Sequence, residues 1–422
     1  MKRIVLILVV LFSLSLTAQR TCSTNDKLKE LQNTIPGFAT HHREVMDFIY
    51  NPDNSQTLFR GPNSPAVVVT IPVVFHVLYK NSAQNISDAQ ILSQLTVLNN
   101  DFKKLNADFN TVVPSAFRSL GANLEITFCK ATRTPTGATT TGITRKQVSS
   151  SFDLEQQYYT TAGELAWDPK KYLNVWIGRF NDPTTLGFAL LPSSAGEDFD
   201  GLCIGDQFFG TTGTASAPFN KGRTATHEIG HYFGLLHPWG DDGIPCGNPY
   251  VDEFTPSNDD RVADTPTTNN PYFGCPAFPN NANACGTTAN GSMFMNFMDY
   301  VNDACMAFFT TGQKAITQNT LASARLSLLT SNGCGTLDLT EVQAINAISI
   351  YPNPVTQYFM ITSPQTPIDE VELYNAIGQV VKTQKLAQDN NIINIEEFAT
   401  GTYYLRIYSK GQFVKSDKVI KK

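Results

Sequence analysis

Three of the chain's six histidines fall within eleven residues, His227-Glu228-Ile229-Gly230-His231-Tyr232-Phe233-Gly234-Leu235-Leu236-His237. On a helix, His227 and His231 lie one turn apart and project from one face, where both can ligate a single ion. Glu228 adjoins the first ligand, so its carboxylate can reach a water on that ion. A continuing helix would carry His237 away, so the backbone must turn near Gly234, a residue that takes a positive φ at little cost. Three histidines leave a fourth position on zinc (Zn2+) for water, as a catalytic site requires; structural sites are usually closed, often by thiolates. Zinc lowers the pKa of such a water toward ~7 and polarises a peptide carbonyl. Glu228 would take the water's proton and return it to the leaving amine. Short H-E-x-x-H matches arise by chance, but the eleven-residue pattern is far more specific. A three-histidine site with a spectator glutamate explains the histidines and gives no reason for Glu228 at that spacing.

These residues need a scaffold. Val67 to Tyr79 is a β-branched run suited to a buried strand, with His76 as a packed core histidine. Ser87 can N-cap a helix whose Ile91, Leu95, Leu98 and Phe102 recur at helical spacing. Leu124–Cys129, Leu173–Ile177, Gly187–Leu191 and Leu202–Ile204 are further strand candidates. Arg223 to Leu236 is the helix that carries the histidines. From Asp241 to Asp264 there are seven acids against one base, Arg261, and the segment to Asn290 is rich in Pro, Gly, Asn and Cys, hence mostly irregular. Thr310-Thr311-Gly312-Gln313 resembles a capping box opening a last helix.

Downstream stands Ser292-Met293-Phe294-Met295-Asn296-Phe297-Met298-Asp299-Tyr300, spaced as a metzincin Met-turn is. With His227–His237, Asn296–Tyr300, Cys305, Phe309–Gln313 and Asp260–Pro266, the stretch from about Val67 to Leu329 resembles the pappalysin family of metzincins. The resemblance implies an α+β catalytic domain: an α/β upper subdomain with a mixed twisted sheet and the zinc helix, above an irregular lower subdomain. It implies that Met298 floors the histidines and that Tyr300 swings to stabilise the oxyanion. It also implies disulfides Cys246–Cys285 and Cys275–Cys305, where spacing alone allows three connectivities. Bacterial relatives prefer arginine or lysine on the prime side of the cut, for which Asp303 is the candidate acid. Calcium (Ca2+), a hard cation needing six to eight oxygens, is expected in the acidic loop, with Asp260, Asp264 and the Thr265 carbonyl as candidate ligands. A solvated acidic face is the plainer reading of that loop.

With 422 residues the chain can hold two or three domains, and a formal charge of −6 shows no sign of nucleic-acid binding. Lys2 and Arg3 precede an apolar run to Leu16 that is too short for a membrane span, so residues 1–18 read as a signal peptide. No later stretch is a transmembrane segment. Export makes disulfides admissible. Residues 19–60 are polar, with helical character around 26–33 and 43–49. They read as a propeptide, cut near Arg60, or else as an extension packed on the next domain. Cys22, in Arg20-Thr21-Cys22-Ser23, is a candidate cysteine switch: its thiolate would fill zinc's open position. The family's Arg-x-Cys is usually followed by glycine, whereas Ser23 stands here. The pairing of Cys129, Cys203 and Cys334 stays open.

The catalytic domain is expected over 61–336 and a linker over 337–345. In 346–422, short alternating segments separated by turns at Gly378, Gly401 and Gly411 predict a small all-β sandwich. That segment is similar to the sorting domain of type IX secretion, with Tyr351-Pro352-Asn353-Pro354 at its start and Lys418–Lys422 at its end. An adhesive sandwich is the competing reading. The expected molecule is a secreted or cell-surface zinc metalloendopeptidase, exported through the periplasm. Its partners are protein or peptide substrates and the type IX machinery. A zinc-binding but catalytically silent adhesin is the alternative.

Overall fold

The β-branched run forms β2 (Val69–Tyr79), on which the sheet is built. Both faces are buried: Ile71, Val73, Phe75 and Val77 enter the main core, while Val74 and Leu78 enter smaller clusters behind the sheet. Burial on both sides is why this strand reads as a continuous apolar run rather than an alternation. This is a computed structural model of the chain. It describes residues 21–51, 68–240, 246, 259–335, 348–363, 367–376, 378–386, 391–409 and 412–422. The expected signal peptide, Arg60, the linker 337–345 and the acids Asp241, Asp242, Asp252 and Glu253 lie outside these residues.

Parallel to β2 run β3 (Ile126–Lys130), β4 (Ile143–Gln147) and β5 (Leu173–Gly178). Next to β5 lies β7 (Leu202–Gly205), parallel, and then β6 (Thr185–Ala189), antiparallel to β7. The outermost strand on that side is β1 (Thr21–Cys22), which pairs parallel with β6 from the N-terminal segment. The sheet is therefore mixed, in line with the α+β expectation. Under it runs α3 (Asp88–Phe102), N-capped by Ser87, whose hydroxyl accepts from Gln90 N at 3.2 Å. The histidine helix α4 (Arg223–Tyr232) packs against α3, β6 and β7, and all its residues are buried. The last helix, α5 (Thr311–Ala322), opens with the expected capping box between Thr310 and Gln313.

Residues 21–51, ahead of β2, pack on the sheet and the main core. After β1 come α1 (Thr24–Thr34) and α2 (Phe38–Tyr50). Met46, Ile49 and Tyr50 belong to the main core. Asn319 Nδ2 donates to Ile49 O at 2.8 Å, and Arg261 pairs with Asp47 at 3.1 Å. Three disulfides are present: Cys129–Cys334, Cys246–Cys285 and Cys275–Cys305. Cys22 and Cys203 are free and buried.

The C-terminal region is all β, with its own core around Phe359, Leu373, Leu405 and Val419. One sheet has the order β11 (Val380–Lys385), β10 (Glu370–Tyr374), β13 (Gly401–Ser409), β14 (Gln412–Lys421). The other has the order β12 (Ile392–Asn394), β9 (Tyr358–Thr362), β8 (Ser349–Tyr351). No helix among the described residues is long and apolar enough to cross a membrane.

Candidate active site

The histidine helix is shorter than its sequence suggests, ending at Tyr232 rather than Leu236. Leu235 N donates to Gly230 O at 3.0 Å and Gly234 N to His231 O at 2.8 Å, with Gly234 at φ +90°. This is the paired-bond glycine termination of a helix, and it turns the chain so that His237 comes back to the helix face. The turn also orients a ligand, because Leu235 O accepts from His231 Nδ1 at 2.7 Å.

The three Nε2 atoms converge, 3.2 Å apart for His227–His231, 3.1 Å for His227–His237 and 3.0 Å for His231–His237. Two zinc–nitrogen bonds of ~2.0–2.1 Å at a tetrahedral angle would put the nitrogens about 3.3–3.4 Å apart. The residues thus fit that ion closely. Protonation supports the fit. His227 Nδ1 lies 2.8 Å from Phe297 O and His231 Nδ1 2.7 Å from Leu235 O, and a carbonyl only accepts. On these two rings the proton therefore sits on Nδ1, leaving their Nε2 lone pairs facing each other and His237 Nε2, an arrangement that a cation resolves.

Met298 is wholly buried against Gly230, between His227 and His231 in the helix. A Cβ on Gly230 would come 2.4 Å from its Sδ, so the glycine inside the motif admits the methionine. Asn296 holds the turn: its Oδ1 accepts from Met298 N, and its amide exchanges hydrogen bonds with Gln313 of α5. Behind α4, Arg223 Nε stands 3.0 Å from Asp101 Oδ2, and Thr226 Oγ1 donates to the same oxygen at 2.7 Å, tying the helix to α3.

Glu228 is 1 % exposed, and its Oε2 accepts from Cys22 Sγ at 3.3 Å and from Thr24 Oγ1 at 3.4 Å. The Cys22 sulfur and the three histidine nitrogens all lie within 4.8 Å of one another, the one such group among the described residues. Burial, and then the Glu228 charge, push the Cys22 thiol well above its ordinary value. A divalent cation among these groups would reverse that. Backbone contacts hold Cys22 in place: Ser23 N donates to Gly187 O at 3.1 Å, Ala189 N donates to Thr24 Oγ1 at 2.9 Å, and Cys22 N donates to Tyr300 Oη at 3.3 Å. The N-terminal segment thus fills the cleft beside β6.

Two groups of candidate residues also carry structural hydrogen bonds. Asp260 and Asp264 are not brought together as an oxygen cage. Asp260 Oδ1 accepts from Val262 N and the Thr265 hydroxyl, whereas Asp264 takes the Thr310 hydroxyl and Gly312 N at the start of α5. Their carboxylates serve as turn and helix caps. Asp303 is fully buried, and its Oδ2 accepts from Lys221 N at 2.8 Å and Arg223 N at 3.2 Å. It caps the start of α4, where Gly222 offers no side chain. Sequence reading passed over Trp239, whose ring lies 4.5 Å from that of His237 and nearly parallel to it; its position two residues past the last histidine was the available signal.

Two family models match the chain. The one described as pregnancy-associated plasma protein-A covers residues 157–322, and the secretion system C-terminal sorting domain covers 349–422. Among solved structures, mature mirolysin of Tannerella forsythia, in complex with a cleaved peptide, is 42 % identical. That match covers 63 % of this chain and 97 % of mirolysin, with a TM-score of 0.57. A point mutant of promirolysin from the same organism is 39 % identical over 74 % of this chain and 97 % of its own, with a TM-score of 0.64. An extracellular metalloprotease of Arthroderma benhamiae is 27 % identical over 303 residues, 70 % of this chain and 82 % of the relative. Fold, cleft and relatives together define a metalloprotease exported by type IX secretion. The chain belongs to the pappalysin, or pregnancy-associated plasma protein-A, family.

Proposed function

We propose that the protein is a zinc metalloendopeptidase held latent by its own N-terminal segment. The observation that carries the reading is the triangle of histidine nitrogens with 3.0–3.2 Å edges, beside the buried carboxylate of Glu228. His227, His231 and His237 hold the ion, which when bound supplies a Lewis acid for the carbonyl and an acidified water. Glu228 takes the proton of the attacking water and delivers it to the leaving nitrogen. The Tyr300 hydroxyl, once released from Cys22 N, donates to the developing oxyanion. Met298 supports the ligands from below.

Residues 19–60 act as the propeptide, supported by the placement of Cys22 against Glu228 and the histidines, and residues 346–422 as the sorting domain. A preference for arginine or lysine, read from family resemblance, assigns Asp303 the charge. Its replacement by asparagine keeps an acceptor for the α4 cap while removing that charge. Calcium forms no part of this reading.

The test is cleavage of fluorogenic arginine and norleucine peptides by the processed protein, with and without chelator. We expect chelator-sensitive turnover restored by zinc, a loss of about 10²–10⁴-fold in Glu228→Ala, and a reduced arginine preference in Asp303→Asn. Processed protein without chelator-sensitive turnover would instead be the adhesin. Unchanged selectivity in Asp303→Asn would remove Asp303 from the specificity role alone.

A further inference from the structure

We propose that Trp239 is a positioning residue, which sets the ring plane of His237 and the side-chain position of Tyr300. This rests on the zinc reading above. His227 and His231 project from regular helix, where backbone geometry aims them. His237 follows a left-handed turn on irregular chain, so its ring needs orientation from elsewhere. Gly240 N donates to His237 O at 3.0 Å, closing a tight turn that folds residue 239 back over residue 237. The indole then lies on the imidazole with centroids 4.5 Å apart and planes 7° apart.

The same indole meets the Tyr300 ring edge-on at 4.8 Å, and Tyr300 packs edge-on against His237 at 4.9 Å. Three rings thus close on one another, with Trp239 only 7 % exposed. An imidazole that ligates a divalent cation gains positive charge, and the π face of an indole favours positive charge. The stack is therefore stronger in the metal-loaded protein than in the metal-free one. By linkage, it raises the affinity for the metal, and with an unchanged on-rate a tighter site releases its metal more slowly. Its second effect falls on Tyr300. When β1 leaves, Tyr300 loses Cys22 N, and the indole remains as the wall against which the phenol is placed.

The experiment compares Trp239→Leu and Trp239→Phe with wild type, in processed, zinc-loaded protein. It reads the rate of zinc transfer to a chromophoric chelator, the visible spectrum of the cobalt-substituted form, and kcat and KM separately. Outer groups that orient metal ligands typically contribute 10–100-fold in affinity or activity. We expect Trp239→Leu to release zinc at least about tenfold faster, to shift the cobalt spectrum, and to lower kcat more than it raises KM. Trp239→Phe should recover most of each. Release rate and spectrum unchanged in Trp239→Leu would overturn the proposal. If the leucine variant does not fold, Trp239→Met against Trp239→Phe compares large apolar side chains without and with an aromatic face. Wild-type protein that fails to retain zinc would refute the site reading, and the Trp239 proposal with it, whereas retention in wild type with unchanged release in Trp239→Leu would overturn the Trp239 proposal alone.

Discussion

At the residue scale, the buried histidines divide by what their nitrogens face. His76 faces a fixed acceptor. Asn174 Oδ1 already accepts from Trp167 N, and its Nδ2 donates to Trp167 O, so His76 Nε2, 3.0 Å away, must be the donor. Its Nδ1 lies 2.8 Å from the Thr144 hydroxyl, and the ring stacks on Trp176. Burial lowers its pKa to about 4 from an ordinary 6.5. Below pH 6.5 the unfolded chain takes up a proton that the folded one refuses, so stability present above that pH is lost as it falls toward 4. The loss from this group should approach roughly 3 kcal/mol by pH 4. Denaturant midpoints at pH 7 and 4.5 should therefore differ less in His76→Gln than in wild type. Equal differences would mean that other groups carry the acid sensitivity. The core assignment of His76 was legible because the residue sits inside an unbroken β-branched run, whereas its partner Asn174 comes from a strand ninety-eight positions away.

At the scale of elements, α4 and the methionine turn fit through one missing methyl. A Cβ on Gly230 would stand 2.4 Å from Met298 Sδ and 3.5 Å from the Phe309 ring. Gly230→Ala should raise helix propensity locally yet cost about 1–3 kcal/mol through overpacking. It should also weaken zinc retention as the helix and its histidines are pushed off the turn. Thermal melting and metal content measure the two effects, and a stabilised variant with full metal content would contradict this account of the motif. The extent of α4 was the least legible feature. Leu235 and Leu236 continue a helical apolar pattern, but the glycine between them and the helix takes a left-handed φ and ends it. Strand β4 was missed for the opposite reason. Ile-Thr-Arg-Lys-Gln has no apolar run, and it is a strand because β2 offers it a backbone ladder. Strand β1 is two residues long and gains its meaning only from the β6 edge it covers. Ser87 and Thr310, by contrast, carried local capping signals that hold in the structure.

At the scale of the molecule, the N-terminal segment holds the cleft at two separate places. One is the Cys22 thiol beside Glu228. The other is α2, whose Tyr50 hydroxyl donates to Gly234 O at 2.8 Å while its ring lies under Arg261. Cys22→Ala should remove the first hold and leave the second. If the thiolate contributes about 3 kcal/mol to closure, the unprocessed variant should show turnover about 10²-fold above wild type, while remaining below the processed enzyme. Peptide cleavage by uncut protein, verified by mass, reads this directly. A variant as silent as wild type would leave α2 and β1 as the whole lock. The sequence indicated the thiol through its place in a short motif and helical character over 43–49, but not where α2 docks, because its apolar residues match a face assembled from distant parts of the chain.

The Tyr50–Gly234 bond also ties maturation to durability. The carbonyl it caps belongs to the turn that returns His237 to the other two histidines, and Met46 and Ile49 fill the core beside it. Withdrawing α2 uncovers an apolar seam next to the ligand turn, in a molecule that has just become able to cut exposed chain. On the proposed reading of residues 19–60 as the propeptide, the protein is expected to be most durable while idle, with a working life set by how long the opened seam resists cleavage by the enzyme itself.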